Sequence, residues 1–312
     1  MTIRTLRAAA FTAAAAISLS AAADTPSERF GVGMLRRDGI IIPFAAWDGK
    51  SWSAHWPKPA LDLTVPVSVS SVPSRWWGPT GPLDTWQVAT ASVTTLVRVV
   101  QPDWVDIHCA RQIGLRTEYR ASQPPPSPTV QPYPKDGLAI APPHPVDRID
   151  ILPVAGDEMR RLLPEVQKSF NEAERKTEDR YGHPIARRAR EGIEPTIEAA
   201  YSWGRTPRVY YVEATRTYRE LGQFIGECAG VGFGTGWFLG DTSGIRPVTM
   251  KVDVLNCSRD YGSYMLPLGV MRLNDRTFWL AQFSGYDHER YVVLEAKEHA
   301  VDIVINTWGG AC

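Results

Sequence analysis

The chain has 312 residues, and its 34 Lys+Arg balance 34 Asp+Glu to a formal net charge of zero. That balance supplies no basic field to hold nucleic acid or an anionic membrane surface. No segment is apolar enough over sufficient length to span a bilayer.

Residues 1–23 read as an export leader. Arg4 and Arg7 precede an apolar, Ala-rich run, and Ala21-Ala22-Ala23 matches the small-residue pattern of a cleavage site. The mature chain then starts near Asp24 and is periplasmic or secreted. The leader holds two Arg and no acid, so the remainder carries 32 Lys+Arg against 34 Asp+Glu. The alternative is a buried Ala-rich helix.

Residues 24–120 read as a Trp-rich β domain. Phe30–Arg37, Ile40–Ala46 and Ser51–Trp56 form a meander turned at Asp38-Gly39 and Asp48-Gly49. Strands follow near Thr85–Ala91, Thr94–Val100 and Trp104–His108. Seven of the 11 tryptophans lie between residues 47 and 104. Indoles at a surface stack on sugar rings or peptides. Trp52, Trp56, Trp76 and Trp77 are therefore the candidate ligand-binding residues. The competing reading places these rings in the core.

Nine of residues 121–147 are proline, which predicts a stiff connector or strap with no helix and no central strand. From 148 to 312 the expectation is a helical segment at about 157–203, then antiparallel β. Met159, Leu162, Leu163, Val166, Phe170 and Ala173 recur at helical spacing. Asp157 is the expected N-cap and Gly182 the stop. Pro164 predicts a kink or two shorter helices. The polar stretch NEAERKTEDR predicts a solvated end, and a second short helix is expected near Pro195–Trp203. Strands return at Arg208–Ala214, 231–239 and 247–255. A meander follows from Tyr264 to Trp308, with Asn274-Asp275 as one tight turn. The fold class is thus α+β, mainly antiparallel β in meander sheets or barrels. The stretches 33–49 and 269–285 read as analogous hairpins, with propeller blades as the alternative.

Four cysteines in an exported chain predict disulfides. Centring the 231–255 hairpin between Thr242 and Ser243 pairs Val231 with Val254, Phe233 with Val252 and Trp237 with Val248. Cys228 then faces Cys257, and Cys109 is left to pair with Cys312. A bulge would shift this register. The same register puts Gly232, Gly234 and Gly236 opposite Asp253, Lys251 and Thr249. Something must then cover the glycine stripe closely, either the protein itself or a ligand.

Leu35-Arg36-Arg37-Asp38-Gly39, Phe44-Ala45-Ala46-Trp47-Asp48-Gly49, Gln112-Ile113-Gly114-Leu115-Arg116-Thr117 and Tyr264-Met265-Leu266-Pro267-Leu268-Gly269 resemble segments of a group of exported bacterial proteins of unknown function. They cover a minor part of the chain, and the resemblance implies export without an activity, cofactor or catalytic residue.

The catalytic inventory is short. No Gly-x-Ser-x-Gly elbow, His-Glu-x-x-His helix or phosphate loop is present, so no cofactor is expected. No Cys/His spacing suits a metal. Asp106 and His108, two apart in an expected strand, are the candidate catalytic residues, as an Asp-oriented general base. A structural polar pair is the competing reading. Three functions remain: a non-catalytic module binding an envelope component, glycan or protein; a secreted hydrolase without a short motif; and an assembly subunit of an envelope complex. The first rests on the tryptophans, the β architecture and the missing catalytic motifs.

Overall fold

The computed structural model describes residues 29–54, 65–68, 85–90, 93–127, 130, 132–183, 185–221, 229–255 and 262–312. The leader, Trp56, Trp76, Trp77, Cys228 and Cys257 lie outside them.

The first seven strands are β1 (Phe30–Arg36), β2 (Ile40–Trp47), β3 (Trp52–Ala54), β4 (Thr85–Ala89), β5 (Thr94–Ile107), β6 (Ala110–Thr117) and β7 (Lys135–Ala141). They pair in the order β1-β7-β4-β5-β6-β2-β3. A further β1–β2 pairing closes six of them into a barrel, and β3 extends from β2. Gly39 and Gly49 take φ of 82° and 96°, the left-handed geometry their hairpin turns demand. Asp48 Oδ1 accepts the N–H of Lys50 at 2.8 Å and of Ser51 at 2.7 Å, holding the second turn. All six barrel strands contribute to the interior, which holds Leu35, Ile41, Trp86, Val88, Val97, Ile113, Leu115 and Ala139.

Two expectations change here. The two strands foreseen at 94–100 and 104–108 are one, because a register shift at Val99/Gln101 leaves Val100 as the extra residue ahead of Pro102. The proline-rich stretch does contain a central strand, since β7 lies between β1 and β4. The prolines flank Lys135–Ala141 and none interrupts it, so every ladder N–H is present.

The last four strands form a separate meander: β13 (Tyr264–Leu273), β14 (Arg276–Ser284), β15 (His288–Ala296) and β16 (Val301–Ala311). Asn274 and Asp275 have φ of 50° and 60°, as a tight hairpin turn requires. At its central strands β14 and β15 this sheet is buried on both faces. One face sets Met271, Phe278, Leu280, Tyr291 and Val293 against Met34, Ile42, Phe44 and Ile140 of the barrel. The stretches 33–49 and 269–285 are thus analogous hairpins that meet in one core. The other face sets Val270, Trp279, Val292 and Leu294 against Val209, Tyr211, Trp237 and Leu239 of a third sheet.

That third sheet runs β12-β11-β10-β9-β8, with β8 (Asp150–Ile151), β9 (Thr196–Trp203), β10 (Arg208–Leu221), β11 (Ala229–Asp241) and β12 (Gly244–Leu255). Its far face is covered by helix α1 (Asp157–Tyr181), through Met159, Leu162, Val166 and Phe170. A short α2 (Arg187–Arg190) follows. The layers are therefore barrel, middle sheet, outer sheet and helix.

Four more expectations need correction. The helix foreseen at 195–203 is strand β9, whose β-branched and aromatic residues pair along β10 from Thr215 back to Val209. Gly156 rather than Asp157 is the N-cap, so Asp157 contributes its charge to the first turn instead. Helix α1 runs unbroken through Pro164. The polar helical end is not wholly solvated: Glu174 is buried among Arg216, Tyr218 and His183. Gly182, at φ 78°, ends the helix as expected.

Cys109 and Cys312 form a disulfide with their Cα atoms 4.8 Å apart, joining the β5–β6 turn to the chain just beyond β16.

Candidate functional site

Asp106 and His108 are not brought together as the strand spacing predicts. Asp106 is exposed and bound to Arg111 Nε at 2.8 Å. Strand β5 stops at Ile107, and His108 turns out of it with φ 49°, so the alternation that would have aligned the two side chains is broken. Burial lowers the His108 pKa, opposed by the negative charge of Glu289. Its Nε2 is buried without a hydrogen-bond partner.

Trp52 packs its ring edge-on against Phe30 and Phe278, at 5.7 and 5.8 Å, and beside Trp47. It is partly buried, packed against the core of the barrel–sheet interface. Among the described residues no group of three or more His, Cys, Asp or Glu is placed to hold a metal.

The concave aromatic site lies elsewhere, and one bulge creates it. From the β11–β12 turn the hairpin starts in the foreseen register, with Phe238 opposite Pro247. A shift between Trp237 and Phe238 leaves Val248 as the extra residue, after which Trp237 faces Thr249, Thr235 faces Lys251 and Phe233 faces Asp253. The foreseen pairing of Val231 with Val254 is replaced by Val231 with Leu255. Pro247, which lacks a ladder N–H, is the local reason for the irregularity. A one-residue slip exchanges the faces of a strand. The glycines consequently meet Met250, Val252 and Val254, and the ring of Phe170 lies over them. A Cβ at Gly234 would sit 2.6 Å from Phe170 Cδ2. The protein itself covers the glycine stripe.

On the opposite face the aromatic residues of β11 now stand beside the polar residues of β12. Together with β14, β15 and β16 they enclose a cleft of about 360 Å³ between the middle and outer sheets. Tyr211 lies 5.0 Å from Trp237 and 5.9 Å from Phe283, ring centre to ring centre. Val292, Leu294, Val301 and Ile303 complete the apolar lining, while Lys251, Asp253, Ser263 and Arg290 add polar groups. The volume and mixture are those of a small-ligand site.

Two of these polar groups are desolvated without compensation. Ser263 Oγ and Arg290 Nε are buried and have no hydrogen-bond partner. Burial, with Glu213 nearby, pushes the Tyr211 phenol well above its ordinary value. Arg290 shares its strand face with Val292 and Leu294, where a further apolar residue would extend the inter-sheet core. Its guanidinium instead sits 5.7 Å over the Phe283 ring. A buried donor left unpaired costs about 1–3 kcal/mol. Two such atoms around one concavity are a cost that a ligand can remove.

In other polar clusters the carboxylates are held by partners within the protein. Glu158 accepts Arg208 Nε at 2.5 Å and the Tyr210 hydroxyl at 2.8 Å, beside a cavity of about 440 Å³. Burial and that bond push Tyr210 to about 12. A cavity of about 610 Å³ lies beside Trp203 and His299, where Arg246 bonds the Glu298 carbonyl. At Glu174, burial alone would raise the carboxyl, but His183, Tyr218 and Arg216 outweigh it and hold it below 4.5. His183 Nδ1 accepts the Ile185 N–H at 3.0 Å, which leaves the proton on Nε2, 3.4 Å from Glu174.

Fold and site together define a closed antiparallel barrel fused to a helix-covered sandwich of two sheets, with an aromatic cleft inside the sandwich. No protein-family model matches the chain, and comparison with curated proteins and with solved structures finds no match.

Proposed function

We propose that this protein is an exported, non-catalytic binding protein, and that the inter-sheet cleft, rather than the tryptophans of the first domain, receives its ligand. The supporting observation is the cleft itself: an aromatic floor of Tyr211, Trp237 and Phe283 beneath polar atoms with no partner. Export is supported by the leader pattern at 1–23 and by the Cys109–Cys312 disulfide, which suits an oxidising compartment. Among the described residues no helix is long and apolar enough to cross a membrane. A peptide or glycan fragment of the cell envelope is the ligand class that fits this setting. Binding is favoured over hydrolysis because Asp106 is committed to Arg111.

The test is a thermal-shift and tryptophan-emission screen of the mature protein against envelope peptides and oligosaccharides. A ligand that binds only the folded state raises Tm by mass action. The expected result is a saturable shift that Phe283→Ala abolishes with the circular dichroism spectrum unchanged. A shift that survives Phe283→Ala, or no shift with any fragment, overturns the proposal.

A further inference from the structure

Arg290 carries an inference about ligand chemistry that rests on the cleft being the binding site. It projects from β15 on the face turned toward the outer sheet, between the apolar lining and the mouth. Among the described residues it makes no hydrogen bond and no ion pair; its one contact of note is the Phe283 ring. Lys251, on the opposing strand, is a second cation of the same lining, with Asp253 as a lining carboxylate and the buried Glu213 beside Tyr211. The cleft therefore sets a guanidinium with an unpartnered Nε next to an aromatic floor.

We infer that the ligand carries a carboxylate that Arg290 holds, next to an aromatic side chain that packs on Tyr211, Trp237 and Phe283. A guanidinium binds a carboxylate through two parallel N–H donors, which would give the orphaned Nε its partner. A further ring continues the tilted and edge-on packing already present between Tyr211, Trp237 and Phe283. The C-terminal residue of a peptide and a free aromatic acid both present this combination.

The experiment is isothermal titration of the full mature protein with N-acetyl-tryptophan and with its amide, then with Gly-Gly-Trp and its amide. The acid of each pair is expected to bind at least tenfold more tightly than the amide. Tighter binding of Gly-Gly-Trp than of N-acetyl-tryptophan identifies a peptide terminus, and the reverse identifies a free acid. Arg290→Gln is expected to remove the difference between acid and amide, and Asp253→Asn to tighten the acid by removing a like charge. Because the acid–amide comparison is made on the unaltered protein, it does not depend on either variant folding. Equal binding of acid and amide overturns the carboxylate assignment and leaves the cleft as the site. Binding of neither probe overturns it as well, and the envelope-fragment screen with Phe283→Ala then decides separately whether the cleft binds at all.

Discussion

Lys135 Nζ lies 3.1 Å from Glu289 Oε2, and the two side chains are 2% and 0% exposed. The pair ties β7 of the barrel to β15 of the middle sheet across their shared core. Glu289 also accepts from the Tyr291 hydroxyl and from Gln282 Nε2 at 3.3 Å. Removing one partner of a buried ion pair leaves an uncompensated charge and costs about 3–5 kcal/mol. Lys135→Met is expected to lose stability in that range by urea unfolding. The double variant Lys135→Met/Glu289→Gln is expected to recover part of the loss, because no lone charge then stays buried. A double variant that loses the sum of the single losses would show the pair to be uncoupled.

The Cys109–Cys312 link spans 203 residues of sequence. Cross-links over long loops restrict the unfolded chain most, and removing one costs about 2–5 kcal/mol. Cys109→Ala is expected to lower Tm to the value the unaltered protein shows after reduction of this bond. Equal Tm values for wild type and Cys109→Ala under oxidising conditions would contradict this.

Phe170 and the glycines of β11 are complementary in shape. Gly234→Ala places a methyl group against the Phe170 ring and the Met250 side chain, and overpacking of this kind costs about 1–3 kcal/mol. Phe170→Leu in the same chain is expected to relieve part of it. Additive losses in the double variant would show that the two do not touch.

Glu174 gives the acid limb of stability a defined sign. Its folded pKa lies below 4.5, so its contribution is complete above that value and disappears as pH falls through the lower, folded one. Urea midpoints measured from pH 6 to pH 3 are expected to fall across this window. Glu174→Gln is expected to start lower at pH 6 and to fall less steeply. An unchanged slope in the variant would assign the acid limb to other carboxylates.

Trp52 separates the core from the binding site. Trp52→Ala removes a ring packed on Phe30, Trp47 and Phe278, and a loss of about 3–5 kcal/mol is expected. At a temperature where this variant is still folded, ligand affinity is expected to match that of the wild type. A selective loss of affinity would return the site to the first domain.

Most of the fold is legible in the residues. Asp38-Gly39, Asp48-Gly49 and Asn274-Asp275 mark their turns because left-handed φ values limit what can stand there. The apolar repeat from Met159 to Phe170 marks the helix face. Legibility ends where a single residue breaks a period. Val100 merges two expected strands, His108 leaves its strand one residue early, and Val248 turns over the remainder of β12. The cleft depends on that last event, so a regular hairpin hides it. Pro247 was the available signal, since a proline within a paired strand points to a bulge. At Trp52 the ring packs against the barrel–sheet core, a role that tryptophan clustering at 47–104 does not distinguish from surface display.

Strands β14 and β15 of the middle sheet have no solvent side to absorb error. In β14, Phe278 and Leu280 belong to the barrel interface, while their neighbours Trp279 and Ala281 belong to the sandwich. One codon added or deleted within this strand would trade the contents of both interfaces at once. Length variation among any descendants of this gene should therefore gather in the connections and spare β14 and β15, whereas substitutions that conserve volume can accumulate on either side.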